Sequence, residues 1–140
     1  MQRSILVMNA DRNEFQDISA LLTRKSYTVH LVESTSELRH RLETSSFVAV
    51  LMDIDSSPVD NRAIRELASE FPAVPFLCMS KDSFHPKLKD AISRHIYACL
   101  NKPIDPEELF YWLKCIHEDI KGNSDRSSFS SSVNSAEEEL

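Results

Sequence analysis

Short apolar runs alternate with amphipathic stretches along most of this chain, and this alternation limits the folds that it can adopt. Runs rich in branched and aromatic residues predict five β-strands, over residues 5–8, 27–32, 47–53, 75–80 and 97–100. Apolar residues spaced three or four apart predict a helix after each strand. Because alternating strands and helices with short connections form parallel sheets, we predict an α/β domain: a doubly wound, five-stranded parallel sheet flanked by five helices.

Residues that favour helix ends mark the limits of the predicted helices. Asp11 followed by Glu14 predicts a capping box at the start of the first helix. Pro72 ends the third helix, and Asp105 with Pro106 begins the last one. The predicted inward-facing residues of the five helices are Phe15, Ile18, Leu21 and Leu22; Leu38 and Leu42; Ile64, Leu67, Ala68 and Phe71; Leu88, Ala91, Ile92 and His95; and Leu109, Trp112, Leu113, Ile116 and Ile120.

The chain has 140 residues, of which 41% are hydrophobic, and this is enough for one folded domain with a core. From about Gly122 onward Ser, Asn and Glu dominate, so we predict a folded domain over residues 1–121 and a disordered tail over 122–140 that leads to a missing output domain. The net charge of −6 argues against binding of nucleic acid or anionic membranes. No apolar stretch approaches the roughly 20 residues of a transmembrane helix, and we expect a soluble, cytoplasmic protein.

Cysteines and histidines are scattered along the chain rather than clustered. The three cysteines, Cys78, Cys99 and Cys115, are an odd number and lack the Cys-x-x-Cys spacing of metal sites. We therefore expect reduced and mostly buried thiols. The five histidines are equally scattered, so the sequence does not predict a Cys/His metal cluster.

Three of the predicted strands end in side chains suited to phosphate chemistry. Asp53 closes the third strand, Ser80 ends the fourth, and Lys102 follows the fifth. Because the carboxyl ends of parallel strands lie at the same edge of a sheet, we expect these side chains to meet there. An aspartate can accept a phosphoryl group as a nucleophile, while a hydroxyl and an ammonium contact the phosphoryl oxygens. We therefore predict a phosphoacceptor site, although an aspartate at one strand end is by itself more often a turn residue.

In their order and spacing these residues resemble the receiver domain of two-component response regulators. The resemblance covers about residues 5–120, which is nearly the whole predicted domain. The matching segments are Val50-Leu51-Met52-Asp53-Ile54, Phe76-Leu77-Cys78-Met79-Ser80 and Leu100-Asn101-Lys102-Pro103.

The resemblance implies a flavodoxin-like receiver fold with a cis peptide bond between Lys102 and Pro103. It also implies that Asp53 takes a phosphoryl group from a sensor histidine kinase or a phosphotransfer protein, with Mg²⁺ bound beside it. Such a domain is regulatory and not a turnover enzyme: it acts in a phosphorelay, often in transcription regulation, through an output domain or a partner protein. Receivers often form homodimers as well, so a homodimer is among the expected states.

The positions that hold Mg²⁺ in receivers differ in this chain. Receivers place two acidic residues directly after the first strand, whereas Asn9 and Ala10 stand there in this sequence. The remaining candidates for Mg²⁺ are Asp53, Asp11 and the backbone carbonyl of Asp55, which together predict a weakened site. Asp11 is equally well explained as an ordinary helix cap, and the sequence leaves both interpretations open.

The switch positions also depart from the family pattern. In receivers a large aromatic ring, three positions before the lysine, swings inward when the hydroxyl shifts toward the phosphoryl group. Cys99 stands at that position here. The predicted switch positions are therefore Ser80 and Cys99, without the aromatic ring.

Two other functions remain open from the sequence. A degenerate receiver that signals through protein contacts alone would explain Asn9, Ala10 and Cys99. A phosphohydrolase of the haloacid-dehalogenase type would explain the segment from Asp53 to Ser57, which is similar to that family's Asp-x-Asp-x-Thr/Ser motif. That motif, however, normally lies on the first strand, near the N-terminus. We therefore favour a phosphorylated receiver.

Overall fold

The computed structural model describes residues 3–56, 60–81 and 95–125. The described strands and helices, labelled in chain order, are β1 (Ser4–Met8), α1 (Arg12–Arg24), β2 (Thr28–Val32), α2 (Thr35–Thr44), β3 (Ala49–Asp53), α3 (Asn61–Glu70), β4 (Phe76–Ser80), β5 (Ala98–Asn101) and α4 (Pro106–Asp125). The helix predicted from Leu88, Ala91 and Ile92 lies outside the described residues. Every predicted strand is present, with ends that differ from the prediction by at most two residues.

The five strands form one parallel sheet in the order β2-β1-β3-β4-β5. The register pairs Asp53 with Met79 and Ser80 with Asn101, so the last residues of β3, β4 and β5 lie close to one another. The predicted doubly wound α/β sheet is confirmed. Its carboxyl edge is therefore where the polar residues that end the strands meet.

Burial follows the position of each strand in the sheet. All five residues of β3 and of β4 are buried, because both strands have neighbours on each side. The edge strands β2 and β5 are only partly buried. Within the described part of the chain, one cluster of buried hydrophobic residues consists of Leu6, Met8, Val32, Leu38, Leu42, Phe47, Val50, Met52, Ile54, Ile64, Leu67, Phe76 and Cys78. This cluster holds the strand ends in fixed positions, which a site built from several strands requires.

The chain divides into two compact units, Met1–Leu109 and Phe110–Leu140, and the sheet belongs to the first. Helix α4 begins at Pro106 as predicted, and the Asp105 carboxylate accepts a hydrogen bond from the backbone N–H of Glu107 at 3.1 Å. The helix continues to Asp125, beyond Gly122, where the sequence predicts the tail to begin. Asn and Ser each cost less than about 0.7 kcal/mol in a helix, so the change in composition does not end it. Among the described residues, no helix has the length and apolar character needed to cross a membrane.

Ser26 has a left-handed backbone, with φ of 69°, in the exposed turn between α1 and β2. A left-handed conformation is costly for a residue with a Cβ atom, and glycine adopts it freely. Replacing Ser26 with Gly is therefore expected to raise the free energy of unfolding by about 0.5–1 kcal/mol, measured by urea denaturation.

Ser45 provides the matched control for this substitution, because it is exposed and caps α2 with an ordinary φ of −147°. Replacing Ser45 with Gly removes no strain and adds flexibility to the unfolded chain, so it is expected to lower stability. Equal effects of the two substitutions would contradict the explanation from backbone strain at Ser26.

Candidate functional site

The three residues predicted to form the phosphoacceptor site lie together at the carboxyl edge of the sheet. The Lys102 ammonium contacts Asp53 Oδ1 at 2.5 Å, and the Lys102 backbone N–H donates to the carbonyl of Ser80 at 2.9 Å. Asp53 and Ser80 are fully buried. The peptide bond between Lys102 and Pro103 is cis, as the sequence resemblance implies. The Ser80 hydroxyl, however, donates to Asp55 at 3.0 Å.

Lys102 is the common partner of three carboxylates. Besides Asp53, its ammonium contacts Glu14 Oε1 at 2.8 Å and Asp55 Oδ2 at 3.4 Å. Partial burial alone would lower the pKa of Lys102, but the carboxylates of Asp53 and Glu14 outweigh this effect and raise it. Lys102 therefore stays charged, and these four side chains together leave an excess of negative charge that favours a further cation.

The two carboxylate oxygens of Asp53 have different surroundings. Oδ1 contacts Lys102 and accepts a hydrogen bond from the backbone N–H of Asp55 at 3.2 Å. Oδ2 is buried and has no hydrogen-bond partner within the described part of the chain. A buried oxygen without a partner is energetically costly and is often found where a ligand or a metal ion binds. Oδ2 is thus the atom available for a new bond.

The Asp55 side chain lies in the site, although the sequence predicts only its backbone carbonyl there. Its carboxylate accepts hydrogen bonds from the Ser80 hydroxyl at 3.0 Å and from the Lys81 backbone N–H at 2.8 Å. Partial burial alone would raise the pKa of Asp55, but these two hydrogen bonds and the charge of Lys102 lower it below the usual value. The Asp55 carboxylate is therefore ionised at neutral pH.

Asn9 organises the loop between β1 and α1 through its side-chain amide. Its oxygen accepts hydrogen bonds from the Asp11 backbone N–H at 2.8 Å and from the Ser56 hydroxyl at 3.1 Å. Its nitrogen donates to Glu14 at 3.0 Å. The predicted capping box is therefore only half correct: Asp11 caps α1, but Glu14 binds Asn9 and Lys102 instead of the Asp11 N–H. The positive charge of Lys102 is the stronger attraction for a carboxylate.

Asp11 serves as a helix cap, which is one of the two interpretations that the sequence leaves open. Its carboxylate accepts hydrogen bonds from the backbone N–H groups of Asn13 and Glu14, each at 3.1 Å. Among the described residues, no group of three or more His, Cys, Asp or Glu side chains is arranged to hold a metal ion. Asp53 Oδ2, a buried carboxylate oxygen without a hydrogen-bond partner among the described residues, would suit a hard cation such as Mg²⁺, whose other ligands would be carbonyl, water or phosphoryl oxygens.

Cys99 stands opposite Cys78 in the pairing of β5 with β4. All three cysteines are free; Cys78 is buried, whereas Cys99 and Cys115 are partly exposed, so fewer thiols are buried than the sequence predicts. A hydrogen bond with the Cys99 thiol, together with burial, raises the pKa of Cys78. Cys78 is therefore an unreactive core residue, and Cys99, the predicted switch position, carries a small side chain that packs against the core.

Residues 5–114 match the family model of the response regulator receiver domain, so this chain belongs to the receiver domain family. The match covers most of the chain and includes β1 to β5. It favours the receiver over the haloacid-dehalogenase alternative, as does the location of Asp53 on the third strand along the chain. A sequence search among curated proteins returned no match.

Solved structures of receiver domains share this fold. The signal receiver domain of an HD domain-containing protein from Pseudomonas fluorescens Pf-5 has a TM-score of 0.77 at 20% identity, covering 87% of this chain and 99% of that one. A CheY-like receiver domain protein from Methanospirillum hungatei JF-1 has a TM-score of 0.76 at 17% identity, with coverages of 87% and 99%. The receiver domain of a sensor histidine kinase from Pseudomonas aeruginosa PAO1, with a magnesium ion coordinated in its active-site cleft, has a TM-score of 0.72 at 22% identity, with coverages of 84% and 99%.

Sequence reasoning missed four groups at this edge of the sheet: the Glu14 carboxylate, the Asp55 carboxylate, the Ser56 hydroxyl and the Lys81 backbone N–H. Glu14 follows Asp11 at capping-box spacing, and this local explanation concealed its contact with Lys102. The Lys81 N–H directly follows Ser80, so the position of a strand end was the one feature that could have indicated it.

Proposed function

We propose that this chain is a phosphorelay receiver that takes a phosphoryl group on Asp53 from a histidine kinase or a phosphotransfer protein. The observation that carries the proposal is the state of the Asp53 carboxylate. One oxygen is held by Lys102, and the other is buried without a hydrogen-bond partner among the described residues. Membership of the receiver family supports a signalling role rather than turnover catalysis.

Transfer forms a bond between Asp53 Oδ2 and the phosphorus atom of the phosphodonor. When the donor is a phosphohistidine, its N–P bond breaks, the imidazole nitrogen keeps the electron pair, and an acyl phosphate is formed on Asp53. The Lys102 ammonium offsets the negative charge of the phosphoryl oxygens, and the Ser80 hydroxyl and the Lys81 N–H, at the end of the neighbouring strand β4, would donate to them.

Asp53 and the backbone carbonyl of Asp55 are the groups that would hold Mg²⁺, with Asp11 joining them only if it leaves its capping position. When bound, the ion supplies positive charge to the phosphoryl oxygens and to the excess of carboxylates around Lys102. The family includes magnesium-bound members, which supports the proposal for this chain.

Phosphorylation replaces the single negative charge of the Asp53 carboxylate with a phosphoryl group that carries roughly −1.5 to −2 and three acceptor oxygens, and this change is the input that the domain passes on. The change in charge is proposed to alter the interaction of this domain with an output domain that regulates transcription or with a partner protein in the cytoplasm. Formation of a homodimer is one way in which the change in charge would affect the output. Since Cys99 lacks an aromatic ring, a shift of Ser80 is transmitted through the backbone pairing of β4 with β5.

Incubation of the natural chain with Mg²⁺ and acetyl phosphate is expected to add one phosphoryl group, observed by intact-protein mass spectrometry. Peptide mapping should locate the phosphoryl group at Asp53, because Asp53 Oδ2 has no hydrogen-bond partner among the described residues. Replacing Asp53 with Asn removes the nucleophile and serves as the control, so no label is expected on that variant. Absence of label from the natural chain, or an equal label on D53N, would contradict the acceptor role.

The second candidate is a receiver that signals through protein contacts without phosphorylation. It is favoured by Asp55, which already occupies Ser80 and the Lys81 N–H, and by Asn9 and Ala10 in place of two acids. In that case the natural chain takes no label with acetyl phosphate at any Mg²⁺ concentration. The labelling experiment therefore decides between the two functions.

A further inference from the structure

The Asp55 carboxylate gathers donors from the ends of two different strands. Its Oδ1 accepts from the Ser80 hydroxyl at the end of β4, and its Oδ2 accepts from the next backbone N–H, that of Lys81. The Lys102 ammonium, just after β5, lies 3.4 Å from the same Oδ2. A hydroxyl, a backbone N–H and an ammonium that converge on one point form an arrangement suited to an oxyanion.

These three donors are the groups that the proposed function assigns to the oxygens of a phosphorylated Asp53. The Ser80 hydroxyl and the Lys81 N–H cannot serve the Asp55 carboxylate and a phosphoryl group fully at the same time, because each offers one hydrogen for one strong hydrogen bond, and the Lys102 ammonium would have to be shared between the two. Asp53 is also fully buried, so a phosphodonor reaches Oδ2 only after neighbouring groups move. Asp55 is tied to Asp53 by two peptide bonds, and its backbone N–H already contacts Asp53 Oδ1.

We propose that the Asp55 carboxylate is an internal substitute for the phosphoryl group, which occupies Ser80, the Lys81 N–H and Lys102 in the unmodified protein and must leave before an external oxyanion binds there. The regulatory role of this contact rests on the proposed function, since it sets how readily Asp53 accepts a phosphoryl group. A tethered carboxylate competes well against free anions because its effective concentration is high.

Competition is tested in chains that cannot be phosphorylated, so that anion binding is separated from acceptor chemistry. We compare D53N with D53N/D55A, since Asn at position 53 removes both the nucleophile and its repulsion of anions. Inorganic phosphate is titrated into the ¹⁵N-labelled protein without Mg²⁺, and the backbone N–H resonance of Lys81 is followed by NMR. We expect a saturable shift in D53N/D55A, with a dissociation constant at least about tenfold lower than in D53N.

Two further variants control for folding and for charge. D53N/D55N keeps the volume of the side chain and removes its charge, so it should fold where D55A does not and show a smaller gain in the same direction. D53N/D17N removes one negative charge from an exposed position on α1 and should bind phosphate as D53N does. The proposal would be overturned if phosphate shifted the Lys81 N–H resonance with the same dissociation constant in D53N and in both Asp55 variants.

The outcome is independent of the labelling of Asp53 in the natural chain. If phosphate binds more tightly to D53N/D55A than to D53N while the natural chain takes no label, the Asp55 carboxylate competes with phosphate but Asp53 is not a phosphoacceptor. Labelling of Asp53 combined with unchanged phosphate binding supports the acceptor role and overturns the proposal for Asp55. An equal gain in D53N/D17N would also overturn it, because the effect would then come from net charge.

Discussion

Replacing Lys102 with Met is expected to lower the free energy of unfolding by about 3–5 kcal/mol at neutral pH, because it leaves a buried carboxylate without its counter-charge. The Lys102 side chain is 9% exposed and that of Asp53 is 0% exposed, so water cannot replace the lost ammonium. The contacts of Lys102 with Glu14 and Asp55 are lost at the same time. Met is apolar and similar in length to Lys, so the decrease in the free energy of unfolding would come from the missing charge rather than from poorer packing.

Urea denaturation measures this effect, and Lys114 provides the matched control. Lys114 is exposed on α4, so K114M is expected to change stability by less than about 0.5 kcal/mol. Asn at position 53 needs no counter-charge, so D53N/K102M should be more stable than K102M, with a coupling of about 1 kcal/mol or more. Equal losses in K102M and K114M would contradict the assignment of Lys102 as the counter-charge of the site.

Replacing Ala10 with Asp is expected to create an affinity for Mg²⁺ at least about tenfold above that of the natural chain, which corresponds to about 1.4 kcal/mol. Ala10 is exposed and directly follows Asn9, at a position where receivers carry an acid, and its backbone N–H is held by Ser56 at 3.1 Å. A carboxylate at position 10 would bind Mg²⁺ together with Asp53, whose Oδ2 has no hydrogen-bond partner among the described residues. Mg²⁺ binds more tightly when a second carboxylate is present.

Ala10 is a better position for this test than Asn9. The buried Asn9 amide donates to Glu14, so an acid at position 9 would lose that hydrogen bond and face a second carboxylate. Isothermal titration calorimetry measures Mg²⁺ binding, and Ala20→Asp on the exposed face of α1 is the control for added charge. Equal Mg²⁺ affinity in A10D and A20D would contradict the expected site, as would tight Mg²⁺ binding by the natural chain.

The sequence was sufficient to predict the sheet and the members of the site that end its strands. Apolar runs of four to six residues, each followed by a helical pattern, specify parallel strands, and parallel strands end at the same edge. Asp53, Ser80 and Lys102 were therefore found from their positions at three strand ends, before any contact between them was known. The cap formed by Asp105 and the start of α4 at Pro106 follow from equally local rules.

Only the tertiary structure decided which partner each charged or polar side chain chooses. The sequence allows Asp11 to be either a metal ligand or a helix cap, and its hydrogen bonds to the start of α1 make it a cap. Glu14 was assigned to a capping box and instead contacts Lys102, while the carboxylate of Asp55 binds Ser80 and the Lys81 N–H. The succession of strands and helices along the chain is encoded in short-range periodicity, which a sequence displays directly. The choice among several carboxylates for one ammonium or one hydroxyl depends on distances between distant parts of the chain, and spacing in the sequence does not encode these distances.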